Sequence, residues 1–164
     1  CETPLTRAGK GTRALARSVA PDADPVARLH ALSALVRGAI AYAPGHTDAE
    51  SSAEQALALG RGVCQDHAHA FCVAARLLGF PARYVSGYLL MNDRADQDAT
   101  HGWAEAYVDA IGWIGFDVSN GISPDARYVR VATGLDYRDA APVTGMHFGG
   151  MGEEMLVTVN VQQQ

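Results

Sequence analysis

Gly60-Arg61-Gly62-Val63-Cys64-Gln65-Asp66 is a glycine-broken turn that releases the chain into a strongly helical run. From Cys64 to about Leu78, the residues Ala68, Phe71, Cys72, Ala75 and Leu78 recur at three- and four-residue spacing and predict one inner stripe. Gly79 is a natural C-cap and Pro81 forbids continuation. Beyond Pro81 the period changes. Residues 83–90 are β-branched and aromatic, and 101–108 and 113–118 read as two more strands joined by a short turn around 109–112. Such a pair predicts an antiparallel hairpin. Further strands are predicted at 128–132 and 154–161, and the Asp-rich stretch 92–100 as a loop bordering a cleft. Helices first and an antiparallel sheet second define the α+β class, with N-terminal helices packed on the sheet.

Upstream of the turn, Asp24-Pro25 has the N-cap and Pro-at-N1 pattern of a helix start. Val26, Leu29, Leu32, Val36 and Ile40 then mark one apolar face. Residues 42–51, with Pro44-Gly45, form a loop. Ser52-Ala53-Glu54-Gln55 has capping-box form and opens a short helix through Leu59 that Gly60 ends. Residues 1–24 show no clear period and read as a lead-in arm. There are no internal repeats.

A chain of 164 residues is one domain able to bury a core without staples. A hydrophobic share of 48% without an uninterrupted spanning run describes a globular protein and excludes a membrane span. The net charge of −5 and the lack of a basic stripe argue against a nucleic-acid surface. Three cysteines, Cys1, Cys64 and Cys72, are too few and too odd in number for a disulfide framework. With no signal-type hydrophobic region, the expected compartment is the cytoplasm. The chain has no initiator Met, so it is expected to be a trimmed piece of something longer.

Cys64 differs from Cys72, which lies mid-helix on the apolar stripe and is expected in the core. A cysteine attacks as thiolate, and a free thiol with a pKa near ~8.5 supplies little of it at neutral pH. A helix N-terminus favours the anion through its partial charge and unpaired N–H groups. An imidazolium in contact favours it further and shuttles the proton. His101, in Thr100-His101-Gly102-Trp103-Ala104-Glu105, and Asp117, in Gly112-Trp113-Ile114-Gly115-Phe116-Asp117, follow in separate strands. If those strands are neighbours with the helix packed on the same face, Cys64, His101 and Asp117 form a nucleophile, a base and its orienter. The bland alternative for Asp117 is a strand-end carboxylate capping the turn Ser119-Asn120-Gly121. Asp66, in the first turn of the Cys64 helix, is expected to point away from the sulfur and cap backbone N–H groups. The backbone N–H of Cys64 would face an oxyanion, with Tyr42 or His46 as candidate second donor. Trp103, Trp113 and Tyr107 read as core or cleft-wall aromatics. His67 and His69 sit two apart on a helix and make a poor metal pair. A Cys64/His101/His147 zinc site lacks a closely spaced ligand pair.

The chain resembles the transglutaminase-like superfamily, in particular its small bacterial cysteine enzymes. The likeness rests on residues 60–66, on Thr-His-Gly-Trp-Ala-Glu-Ala-Tyr at 100–107 and on Gly-Trp-Ile-Gly-Phe-Asp at 112–117. Further similarity runs through 78–88, 134–137 and 142–145, so that it covers roughly 25–160 and sets the catalytic domain at 25–164. The resemblance implies a papain-like fold with Cys64 as nucleophile, His101 as general base and acid, and Asp117 as its orienter. It implies acyl transfer on a peptide or protein amide through a thioester, with no cofactor and no metal. Gly102 stands where the family more usually has Ala, and Val118-Ser119 where Pro-Thr or Ala-Thr is usual. Family members of this branch often carry a β-rich region upstream, for which residues 1–24 are too short. The same triad serves hydrolysis and amine transfer. Water needs no dedicated second site and no amine-binding patch is evident, so hydrolysis weighs at least as much as cross-linking. A binding module that kept the fold and lost the chemistry is the competing class. The segment 145–152 and the loop 92–100 are candidate cleft borders.

Overall fold

Asp24 caps the helix that the sequence predicts after it, its Oδ1 accepting from Val26 N at 2.9 Å and Ala27 N at 3.2 Å. The computed structural model describes residues 1–21, 23–90, 100–141 and, as backbone pairing, 96–97 and 159–160. Most of the predicted 92–100 loop and 154–161 strand, and all of the 145–152 segment with His147, lie outside the described residues.

The helices are α1 (Lys10–Arg17), α2 (Pro25–Ala39), α3 (Ala53–Leu59) and α4 (Cys64–Leu77). The strands are β1 (Ala41–Tyr42), β2 (Arg61–Gly62), β3 (Ala82–Leu89), β4 (Asp96–Gln97), β5 (His101–Val108), β6 (Gly112–Phe116), β7 (Tyr128–Gly134) and β8 (Val159–Asn160). The main sheet is antiparallel with strand order β6-β5-β3-β7. Two short pairs, parallel β1-β2 and antiparallel β4-β8, stand beside it. The class is α+β, as expected.

The predicted caps close as drawn. Ser52 and Gln55 exchange a capping box, and Gly60 ends α3 in the left-handed region at φ +65°. Leu29, Leu32, Val36 and Ile40 are fully buried. Each stabilises the fold by about 1.5–3 kcal/mol through removal of apolar surface from water.

Helix α4 departs from the one-stripe expectation. Every residue from Asp66 to Ala75 is buried. The helix is the centre of the molecule, with α1, α2 and α3 on one side and β3 and β5 on the other. Its many alanines let these neighbours approach from all directions.

Residues 1–24, expected to be an arm without period, contain α1, which packs on α3 and α4. Its first turn is held from outside. Glu54 of α3 accepts from Gly11 N at 2.9 Å, Thr12 N at 2.8 Å and Thr12 Oγ1 at 2.7 Å. Burial works against that carboxylate, but these donors outweigh it and hold its pKa below the ordinary value. At the other end of α4, Arg76 ties three elements together, donating to Thr6 Oγ1, Ala82 O and Leu135 O.

Candidate active site

The first residue of α4 is Cys64, so its N–H is one of the four that an α-helix leaves without a partner. The side chain is half-buried rather than closed off. Asp66 behaves as expected. It is 1% exposed, and its Oδ2 accepts from Val63 N and Thr47 Oγ1, both at 2.7 Å. The glycine at 62 has a specific cause: a Cβ there would come within 2.6 Å of Asp66 Oδ2. Glycine thus admits the carboxylate that caps the turn into α4.

His101 opens β5, and Asp117 follows the last residue of β6. Register pairs Ala104 with Phe116 and Tyr84 with Ala104, so Tyr84, Ala104 and Phe116 share a face. Helix α4 packs on that face, Phe71 stacking on Phe116 at 4.9 Å and His69 tilting on Tyr84 at 5.1 Å. His101 and Trp103 belong to the alternate set. Cys64 is, with Asp117, one of the two groups whose charges act on the His101 ring at the start of β5.

His101 Nε2 donates to Asp117 Oδ2 at 2.6 Å. That leaves Nδ1 for exchange with Cys64. Burial works to lower the His101 pKa, but the Asp117 and Cys64 hydrogen bonds and their charges outweigh it and raise the value to about 9. Trp103 stacks beside the imidazole at 6.2 Å, and Tyr128 tilts against it at 5.9 Å.

Asp117 has no solvent exposure. Its Oδ1 accepts from Ser119 Oγ at 2.8 Å and Asn120 N at 3.1 Å. Its Oδ2 accepts, besides His101, from Asn120 Nδ2 and Tyr128 Oη, each at 2.7 Å. Burial penalises the carboxylate, yet His101 and then Tyr128 and Asn120 hold it well below the usual range. One carboxylate thus both caps the 119–121 turn and hydrogen-bonds the imidazole.

Sequence reasoning named Ser119 and Asn120 within the turn this carboxylate would cap, and missed Tyr128. Asn120 lies within three residues and was open to an Asx-turn argument. Tyr128 had no such signal, because it arrives only when β7 docks beside β3. Gly87 makes that docking feasible: a Cβ there would overlap Val129 O and approach the Trp103 ring to 2.8 Å.

Tyr42, 59% exposed on β1, has its phenol pKa raised by burial first and then by the charges of Cys64 and Asp117. Register sets Tyr42 opposite Gly62, two residues before Cys64, and its ring stacks on His67 at 6.3 Å. His46 is exposed in the turn beyond. His67 and His69 are buried apart. His67 bonds Val63 O at 2.9 Å and Ile40 O at 2.8 Å through its two nitrogens. His69 Nε2 accepts from Tyr137 N at 3.0 Å, and burial lowers its pKa to about 4. Cys72 is fully buried, and burial pushes its thiol up to about 12. Trp103 is buried beside His101, whereas Trp113 lies at the surface beneath Arg83 at 4.0 Å. Among the described residues, no cluster of three or more His, Cys, Asp or Glu side chains is arranged to hold a metal ion. Nor is any helix among them long and apolar enough to cross a membrane.

A helix N-terminal thiol with a His-Asp pair at the ends of adjacent antiparallel strands is the architecture of papain-like cysteine proteins. A model of the transglutaminase-like superfamily matches residues 13–118, and the chain belongs to that superfamily. It is 32% identical over 164 residues to an uncharacterized protein of Mycobacterium leprae, covering 97% of this chain and 58% of that one. It is 31% identical over 156 residues to an uncharacterized protein of Mycobacterium tuberculosis, covering 89% of this chain and 49% of that one. The chain thus spans about half the length of these relatives. Its fold matches that of a proposed cysteine protease from Cytophaga hutchinsonii with TM-score 0.78 and 24% identity, over 100% of this chain and 55% of that one. It also matches a TGase with TM-score 0.53 and 18% identity, over 70% of this chain and 32% of that one. The fold is the papain-like, transglutaminase-core arrangement.

Proposed function

We propose that the protein is a cysteine-dependent acyl-transfer enzyme acting on peptide-like amides, with Cys64 as nucleophile, His101 as base and acid, and Asp117 as orienter. The observation that carries this is the 2.6 Å His101–Asp117 bond, with the half-buried Cys64 acting on the same ring. A half-buried nucleophile with a buried orienter is what covalent catalysis needs and what a binding module would not maintain.

The steps follow from the geometry. Cys64 Sγ attacks the amide carbonyl carbon, and the thiol proton resides on His101 Nδ1. The Cys64 N–H and the Tyr42 hydroxyl are the donors for the oxyanion. The C–N bond breaks as His101 returns the proton to the departing nitrogen, leaving a thioester. Water or an amine, deprotonated by His101, then attacks the thioester and releases Cys64. Hydrolysis is the favoured outcome, since only water needs no binding surface of its own. The substrate is a peptide or protein, met through its backbone or side-chain amide.

The test is turnover of a panel of peptide amides with water and with primary amines as acceptors, for the protein and for Cys64→Ala. The expected result is a thioester adduct at Cys64, with release of ammonia or amine, and no turnover in the variant. Turnover retained without the sulfur would refute the assignment.

A further inference from the structure

Beside its core stripe, α2 carries His30, Ser33, Ala34, Arg37 and Gly38 at the spacing that aligns side chains along one face of a helix. On an ordinary amphipathic helix such a face meets only water. Here it is opposed by Phe116 at the end of β6 and by Gly121 and Ile122 in the turn beyond. The two walls enclose a cavity of about 360 Å³. That volume falls within the ~300–1,000 Å³ range of small-molecule sites. Neither Cys64 nor His101 lines it.

The turn wall is tied to its own backbone, Asp117 N donating to Ile122 O at 2.9 Å and Gly121 N to Asp117 O at 2.8 Å. Gly121 is left-handed at φ +70°, and a Cβ there would come within 2.5 Å of Arg37 Nη1. The guanidinium therefore rests on the bare backbone of the turn. Gly38 has no such packing cause. A Cβ there would meet nothing within 4 Å, although glycine weakens a helix. What it leaves is open space next to Arg37.

The lining is graded along α2. Among the described residues, Arg37 pairs with no carboxylate, and none that line the cavity is acidic. A guanidinium fork matches a carboxylate in two parallel hydrogen bonds. Ala34, Ile122 and Phe116 make the middle apolar, and His30 stands edge-on to Phe116 at 5.2 Å. Ser33 and His30 return polar groups at the far end. From Arg37 back to His30 the helix rises about 10 Å, the reach of roughly three extended residues.

We infer that this cavity binds a terminal carboxylate on an apolar body, with the carboxylate on Arg37, the body against Ala34 and Ile122, and a hydrogen-bonding group at Ser33 and His30. The C-terminus of a short apolar peptide has this chemistry, and a free aliphatic acid shares its anionic and apolar parts. The site does not depend on the assignment of Cys64 as nucleophile. Its ligand lies against the turn whose Ser119 and Asn120 donate to Asp117.

The experiment is an amide NMR titration of the protein with acetyl-leucyl-leucine, with the same peptide amidated at its C-terminus, and with hexanoate. The peptide acid is expected to shift the Gly121 and Ile122 resonances saturably. The amidated peptide, and the acid on Arg37→Gln, are expected to bind at least about tenfold more weakly, since each removes one charge of the pair. Gly38→Leu, which fills the open space, is expected to abolish binding without lowering the melting temperature. Hexanoate distinguishes the sources: weaker binding than the peptide acid supports a peptide C-terminus, and equal binding supports a free acid on the same guanidinium. Absence of saturable shifts at millimolar ligand would overturn the proposal. So would equal affinity for acid and amide, or binding untouched by Arg37→Gln and Gly38→Leu.

Discussion

Replacing Asp117 by Asn keeps the shape of the side chain and removes its charge. The carboxylate is fully buried, and its two oxygens accept from His101, Ser119, Asn120 and Tyr128. An amide nitrogen accepts from none of these, so the donors on one side lose their acceptor. Burial alone lowers the His101 pKa, and the Asp117 hydrogen bond is the largest influence opposing it, ahead of Cys64. Without the carboxylate, the value is expected to fall from about 9 toward its ordinary 6.5. A fall of that size removes up to ~3 kcal/mol of imidazolium stabilisation, or roughly a hundredfold in the population of the charged ring. The Asn nitrogen also favours the tautomer with hydrogen on Nδ1, which faces Cys64 with a donor where an acceptor is needed. Together these predict a loss of ~10²–10⁴ in kcat. Because the folded value lies above the unfolded one, the pair's contribution to stability is complete below about pH 6.5 and disappears as pH rises through about 9. The assay is an NMR titration of the His101 ring, paired with denaturant unfolding at pH 6 and above pH 9, in both proteins. An imidazole with the same midpoint in Asp117→Asn would refute the reasoning, whatever the effect on rate.

Two further outcomes follow from the same contacts. Tyr128→Phe removes one of the Asp117 donors, so the carboxylate pKa should rise and activity should fall several-fold, about 1 kcal/mol, with KM little changed; an unaltered kcat would remove Tyr128 from the site. His67→Ala should destabilise the fold by about 2–4 kcal/mol, since it opens a cavity and removes the ring's bond to Ile40 O, whereas Val63 O keeps the backbone N–H of residue 67; a loss of stability under 1 kcal/mol would show that Ile40 O did not depend on the ring.

The parts of this molecule legible in the sequence are those whose physics is local. Asp24, Ser52, Gly60 and Gly79 announce helix ends because a cap acts within a few residues of itself. Cys64 is conspicuous for the same reason, its glycines and helix start being neighbours in sequence. Helix α1 is illegible because it has only eight residues and takes its first-turn acceptor from Glu54, more than forty residues away. The β1-β2 pair that sets Tyr42 opposite Gly62 has two residues per strand, too few for any period. Asp117 was legible as a member of an ordered triplet, but Tyr128 was not, because its approach depends on β7 pairing with β3 across a register shift at Ser86/Gly87.

Two buried carboxylates, Asp66 and Asp117, are placed differently about the start of α4 and the His101 ring. Asp66 is turned into backbone and hydroxyl donors, and burial raises its pKa despite them, so its charge is the less firmly held of the two. Asp117 carries the firmly held charge, but delivers it through His101, where it supports the imidazolium that faces Cys64. A carboxylate in direct contact with the sulfur would repel the thiolate, whereas one placed behind the ring sustains its counter-ion. The distinction is made by the scaffold: Gly62 admits Asp66 against the helix start, and the turn at 117–122 holds Asp117 behind the imidazole. The firmly held charge therefore bears on the imidazole, which is why a substitution at Asp117 should act on the titration of His101 before it acts on the fold.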